Sequence, residues 1–146
     1  MKLSVGCDHG GYELKEAVLK HLDEKGIAYI DCGCHGESVD YPVIAKEVCS
    51  HIVSGECECG LLFCGTGIGI SMAANKVKGI RAACCSDYYS AKYTKMHNNA
   101  NVLCMGGRVL GPGAACELVD VYLETEYEGG RHQRRIDMLT ELDNER

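Results

Sequence analysis

The sequence has no apolar run approaching a membrane span, and Asp8 and His9 interrupt the first apolar stretch before it could serve as a signal peptide. Nor does it have an excess of positive charge. Its 15 Lys and Arg stand against 21 Asp and Glu, a formal net charge of −6. That balance argues against a general nucleic-acid binder, which needs a basic face, but leaves room for a local cationic pocket. No membrane partner is expected either. Internal repeats, low-complexity tracts and interdomain linkers are also missing, so the 146 residues read as one domain, 1–146, large enough for a core without disulfide staples.

Cysteine, by contrast, is abundant. There are eleven, an odd number, spread along the chain. Cys7, Cys84, Cys85 and Cys104 lie in strand-like apolar runs, where cysteine is expected to act as a small buried hydrophobe. Cys32-Gly-Cys34 and Cys57-Glu-Cys59 are C-x-C pairs rather than the C-x-x-C of zinc ribbons, so no structural metal is expected. Reduced thiols fit a cytoplasmic protein.

Strand-like and helix-like segments alternate from end to end. Strands are predicted at 2–7, 27–32, 60–64, 79–85 and 101–105, and helices at 12–25, 42–54, 68–77, 87–96, 112–122 and 131–144. Gly26 marks a helix stop, Pro42 a helix start, and Asp87 an N-cap. Repeated βα units with short loops imply a Rossmann-like three-layer α/β/α sandwich on a five-stranded parallel sheet. Ligands in such folds bind outside the carboxyl ends of the strands. Asp8, His9, the stretch Cys64–Gly69, Ser86 and Asp87 are predicted there.

The most informative stretch is Leu61-Leu-Phe-Cys64-Gly-Thr-Gly-Ile-Gly-Ile-Ser71. It sets a thiol at the end of a buried strand, beside glycines at 65, 67 and 69 that open the backbone N–H groups to a ligand. It is no P-loop, since G-x-x-x-x-G-K-[ST] is missing, and no dinucleotide fingerprint, since Ile70 takes the last required position. A Cys-based phosphatase needs an arginine shortly after the thiol, and residues 65–75 contain none. A tight turn with a buried cysteine is the plain alternative. Asp8-His9 can bond sugar hydroxyls or exchange protons, or can be an N-cap with a surface histidine. His97-Asn98 carries the same ambiguity. Arg131 and Arg135 share one face of the last helix, where they oppose its macrodipole unless an anion such as phosphate bridges them; a solvated helix end is the alternative.

Taken together, Asp8-His-Gly-Gly11, Asp40-Tyr-Pro42, Cys64-Gly-Thr-Gly-Ile-Gly-Ile-Ser71, Ala74-Asn-Lys76, His97-Asn98, Asn101-Val-Leu103 and Tyr127-Glu-Gly-Gly-Arg-His-Gln133 resemble the type B ribose-5-phosphate isomerase family, in order and over nearly the whole chain. That family includes galactose-6-phosphate isomerase subunits and interconverts aldose and ketose phosphates without a metal. The resemblance implies conversion of D-ribose 5-phosphate to D-ribulose 5-phosphate, in the non-oxidative pentose phosphate pathway, with no cofactor. A six-carbon substrate, allose or galactose 6-phosphate, or a non-catalytic binding subunit are the alternatives.

The resemblance also implies the site. Cys64 is the base that moves a proton between C2 and C1, His97 the ring-opening acid, and Asp8 its partner at the anomeric hydroxyl. The N–H groups of Gly65, Thr66, Gly67, Ile68 and Gly69 hold the enediolate oxygen, and Thr66 bonds the reacting hydroxyls. His9, Arg131 and Arg135 hold the phosphate, with Arg108 a further candidate, while Asn98 and Tyr41 orient the sugar. Homodimers or homotetramers with shared active sites are implied, with helix 131–144 at the interface. Some members use a glutamate further along the loop instead of the cysteine. Here Cys64 is present, and Asn75 and its neighbours offer no such carboxylate. Arg134 is an extra charge relative to the family pattern.

Overall fold

The computed structural model describes every residue from Met1 to Arg146. Strands β1 (Lys2–Cys7), β2 (Ala28–Asp31), β3 (Cys59–Cys64), β4 (Ala82–Cys84) and β5 (Val102–Gly106) form one parallel sheet in the order β2-β1-β3-β5-β4. Helices α1 (Tyr12–Glu24), α2 (Tyr41–Val53), α3 (Ile68–Ala74), α4 (Tyr88–Asn98), α5 (Pro112–Glu124) and α6 (Arg131–Asn144) complete the chain. The predicted α/β class and strand count hold.

Alternation along the strands divides the core between the two faces. Leu3, Val5, Cys7, Leu61 and Phe63 pack against α1 and α5 on one side, and Leu62, Cys64, Val102 and Cys104 against α2 and α3 on the other. Two predicted elements come out shorter by three residues or more. β4 keeps only Ala82–Cys84 of the predicted 79–85, because Gly79 turns with φ +88 and Arg81 is tied to Asn101 instead of extending a ladder. The helix predicted over 68–77 ends at Ala74; Asn75 then turns back, its side chain exchanging two hydrogen bonds with Ala82. Cys84 is exposed and lies at the end of the short edge strand, so it is not the buried hydrophobe expected. Its Sγ faces the Thr66 carbonyl at 3.7 Å. Cys7, Cys85 and Cys104 are buried as expected.

The last helix lies beside the amino ends of β4 and β5. His132, in its first turn, stacks on His97 at the end of α4, and Asp143, in its last turn, accepts from the Gly79 N–H at 3.0 Å ahead of β4. α6 therefore spans the edge opposite the carboxyl ends of the strands.

Candidate active site

Strand register assembles the first group of polar residues. Cys7 pairs with Phe63 and Cys64 with Gly106, so the chain leaves three adjacent strands side by side at Asp8, Gly65 and Gly107. Backbone bonds stitch these exits together: Asp8 N–H to Phe63 O at 3.1 Å, Gly107 N–H to Cys64 O at 2.8 Å, and Arg108 N–H to Gly65 O at 3.0 Å. The loops meet so closely that a Cβ on Gly107 would lie 2.5 Å from the Gly10 carbonyl oxygen.

Within this frame Cys64 is buried, and its Sγ accepts a hydrogen bond from the Gly67 N–H at 3.1 Å. Gly67 reaches that pose only with φ +82, a left-handed conformation that glycine adopts without strain. An N–H aimed at sulfur stabilises negative charge there, as a proton-accepting thiolate requires. Elsewhere in the core, burial pushes the Cys104 thiol well up and that of Cys49 up to about 12. Two of the five N–H groups expected in the cradle have partners within the chain. Gly67 N–H is committed to Cys64, and Ile68 N–H donates to Thr66 Oγ1 at 3.1 Å, because the loop caps its own helix. The N–H groups of Gly65, Thr66 and Gly69 make no hydrogen bond within the chain and remain open to a ligand.

The other residues of this end surround the loop. Asp8 is buried and accepts from Gly10 N–H at 2.8 Å through Oδ1, so it caps a short helical turn and keeps its second oxygen for a ligand. Tyr41, at the start of α2, lies against the loop, its ring carbons 2.9–3.1 Å from where a Gly69 Cβ would be. His9 and Arg108 line one cleft of about 380 Å³ together with Tyr12 and Glu13. A larger concavity, about 480 Å³ between β4 and α6, lies at the opposite end, far from this chemistry.

His97, Asn98, Arg131 and Arg135 are not part of this group within one chain. α4 leaves the carboxyl end of β4 and returns to the start of β5, so its 11 residues carry His97 and Asn98 about 16 Å away, to the amino end. There a second group forms. The His97 ring is stacked on His132 with centroids 4.2 Å apart, Tyr93 packs on it at 5.0 Å, and Glu128 comes within 3.6 Å of its Nε2. Gly129 and Gly130, both with positive φ, turn the chain so that Glu128 N–H bonds Met96 O and His132 folds back over His97. Arg131 and Arg135 project from the same turn into solvent, with no ion pair inside the chain. Sequence reasoning did not place Glu128 and His132 beside His97, although both lie in the Tyr127–Gln133 motif; their contact needs the two-glycine reversal. Burial, then His97 and Arg131, lower the His132 pKa below its usual value.

A Rossmann-like layer sandwich whose strand ends carry a hydrogen-bonded thiol, open backbone N–H groups, a carboxylate and a cleft with His9 and Arg108 defines a class of enzymes that move protons on small polar substrates. Comparison with known proteins narrows this. The Ribose/Galactose Isomerase family model matches residues 3–139, and the chain belongs to that family. It is 47% identical to ribose-5-phosphate isomerase B of Escherichia coli over 146 residues, 99% of this chain and 98% of that one. The structure of Clostridium thermocellum ribose-5-phosphate isomerase B superposes with a TM-score of 0.97 at 46% identity, covering 99% of each chain. That of ribose-5-phosphate isomerase B from Mycoplasma genitalium with bound ribulose-5-phosphate gives 0.94 at 37% identity, covering 99% of this chain and 97% of that one.

Proposed function

We propose that the chain is an aldose–ketose isomerase interconverting D-ribose 5-phosphate and D-ribulose 5-phosphate through a cis-enediolate. The observation that carries this reading is the Cys64 thiol under the Gly67 N–H, bordered by three open N–H groups and the Asp8 carboxylate. A base beside donors for a developing oxyanion is what proton transfer next to a carbonyl requires.

In this mechanism an imidazole protonates the ring oxygen of the closed furanose while Asp8 takes the proton of the anomeric hydroxyl, which opens the sugar. Cys64 removes the C2 proton while Asp8 returns its proton to O1, and the N–H groups of Gly65, Thr66 and Gly69 hold the enediolate oxygen. The O2 hydroxyl proton passes to the now neutral imidazole and Cys64 delivers its proton to C1, which leaves the carbonyl at C2 and resets every group. No external oxidant or reductant is needed. The imidazole is the partner's His97, since each chain holds His97 at the wrong end of its own sheet. A two-fold pair of chains, setting the amino end of one against the carboxyl end of the other, completes two such sites. The partner's Arg131 and the partner's Arg135 then join His9 and Arg108 around the phosphate, and the partner's Asn98 joins Tyr41 around the sugar. Exposed Ile68 and Met72 on α3, Tyr88 and Tyr89 on α4, and Met138, Leu139 and Leu142 on α6 supply apolar surface for such an assembly. Eleven free thiols favour a reducing compartment, in keeping with a cytoplasmic enzyme.

The test is ketose formation from a panel of ribose 5-phosphate, allose 6-phosphate and galactose 6-phosphate, with a chelator present. Preference for ribose 5-phosphate is expected. Preference for a six-carbon phosphate overturns the substrate assignment, and loss of turnover in chelator overturns the metal-free chemistry.

A further inference from the structure

Away from the candidate active site, β2 and α2 bring together three donors of different chemistry. Cys32 follows β2, and its N–H bonds Val5 O at 2.8 Å, prolonging the edge of the sheet. Ser4, on the neighbouring strand, bonds Val48 O of α2, so the side chains in step with it, Ile30 and then Cys32, face α2 as well. Glu47 and His51 stand four residues apart on α2 and share one helix face. One ligand atom from each of Cys32, Glu47 and His51 lies within 4.8 Å of the other two.

We propose that Cys32, Glu47 and His51 form a binding site for Zn²⁺, with a water completing the coordination. Thiolate, imidazole and carboxylate together match zinc, whereas calcium and magnesium take all-oxygen sets. Bonds of about 2.0–2.3 Å place tetrahedral donors roughly 3.5 Å apart, so side-chain rotation by about an ångström closes the set. The outer shell is already in place: His51 Nδ1 pairs with Glu56 Oε2 at 2.8 Å, which orients the ring and leaves Nε2 to ligate. Cys57 N–H fastens this turn by bonding His51 O at 2.8 Å. Cys32 and His51 are half-buried and Glu47 is exposed, so an ion has a path in. No short sequence motif announces the site, because its donors come from two elements.

The test is Zn²⁺ titration of the full chain against a chromophoric chelator, with Co²⁺ as a spectroscopic probe. About one equivalent per chain is expected, with a thiolate-to-cobalt charge-transfer band. Cys32→Ser and His51→Ala should each remove that equivalent, and Glu56→Gln should weaken it about tenfold through the outer shell. Cys49→Ala, a buried thiol outside the set, should leave it unchanged. Retention of the equivalent and of the cobalt band in folded Cys32→Ser overturns the proposal, as does the absence of stoichiometric binding to the wild-type chain. The outcome is independent of turnover, which is expected to persist in Cys32→Ser.

Discussion

At the residue scale, the decisive contrast is between one thiol and its ten neighbours. Cys64 is the one thiol whose sulfur accepts a backbone N–H, from Gly67 at 3.1 Å. Cys64→Ala should therefore keep substrate binding and lose turnover by about 10³-fold, read as kcat against inhibitor affinity. Near-normal kcat would remove Cys64 as the base. His132 carries a pH signature. Its folded pKa is lowered below the ordinary 6.5 by burial, then by His97, Arg131 and Arg135, with Glu128 opposing them. The unfolded chain then binds more protons as pH falls, so stability is lost from about pH 6.5 downward through the folded value. Melting temperatures measured from pH 7 to 5 should fall, and His132→Asn should flatten that slope; an unchanged slope contradicts it.

At the element scale, the turns carry the consequences. A Cβ on Gly67 would lie 2.8 Å from the Met105 carbonyl carbon in a left-handed backbone, so Gly67→Ala should cost about 1–3 kcal/mol and move the N–H from Cys64. Chemical denaturation and kcat measure both effects, and a neutral result refutes the loop geometry. Beneath β1 and β2, Lys15 is fully buried and donates to Asp31 and to the Cys34 carbonyl, each at 2.8 Å. Burial is the largest influence and opposes its charge, but the Asp31 bond together with the negative groups around it raises the lysine pKa. Asp31→Ala should cost about 2 kcal/mol in denaturant midpoint, less than a sealed pair because Asp31 is 24% exposed. The βα alternation, the Asp87 cap and the Cys64 turn were legible because each has a local pattern. Asp87 does accept from Ser90 N–H at 2.8 Å. The lengths of β4 and α3 were not legible, because Asn75, Gly79 and Asn101 end them through contacts between segments. Lys15 reads as a surface residue in an amphipathic helix, and only the Asp31 carboxylate across the sheet edge explains its burial.

At the scale of the whole molecule, the proposed catalytic set is divided between the two ends of one sheet. Cys64, Asp8, His9 and Arg108 lie at the carboxyl end, and α4 and α6 hold His97, Asn98, Arg131 and Arg135 at the other. The sequence motifs pointed to the members of this proposed set, but nothing in their spacing separates a site within one chain from one shared by two. The path of α4 back along the sheet makes the distinction. Mixing two inactive variants tests it most directly. Chains carrying Cys64→Ala and chains carrying His97→Asn, refolded together, should form hybrids with one intact site and one doubly mutated site. Random pairing should then restore about a quarter of wild-type turnover. Activity no greater than the sum of the two separate variants would contradict a site built from two chains.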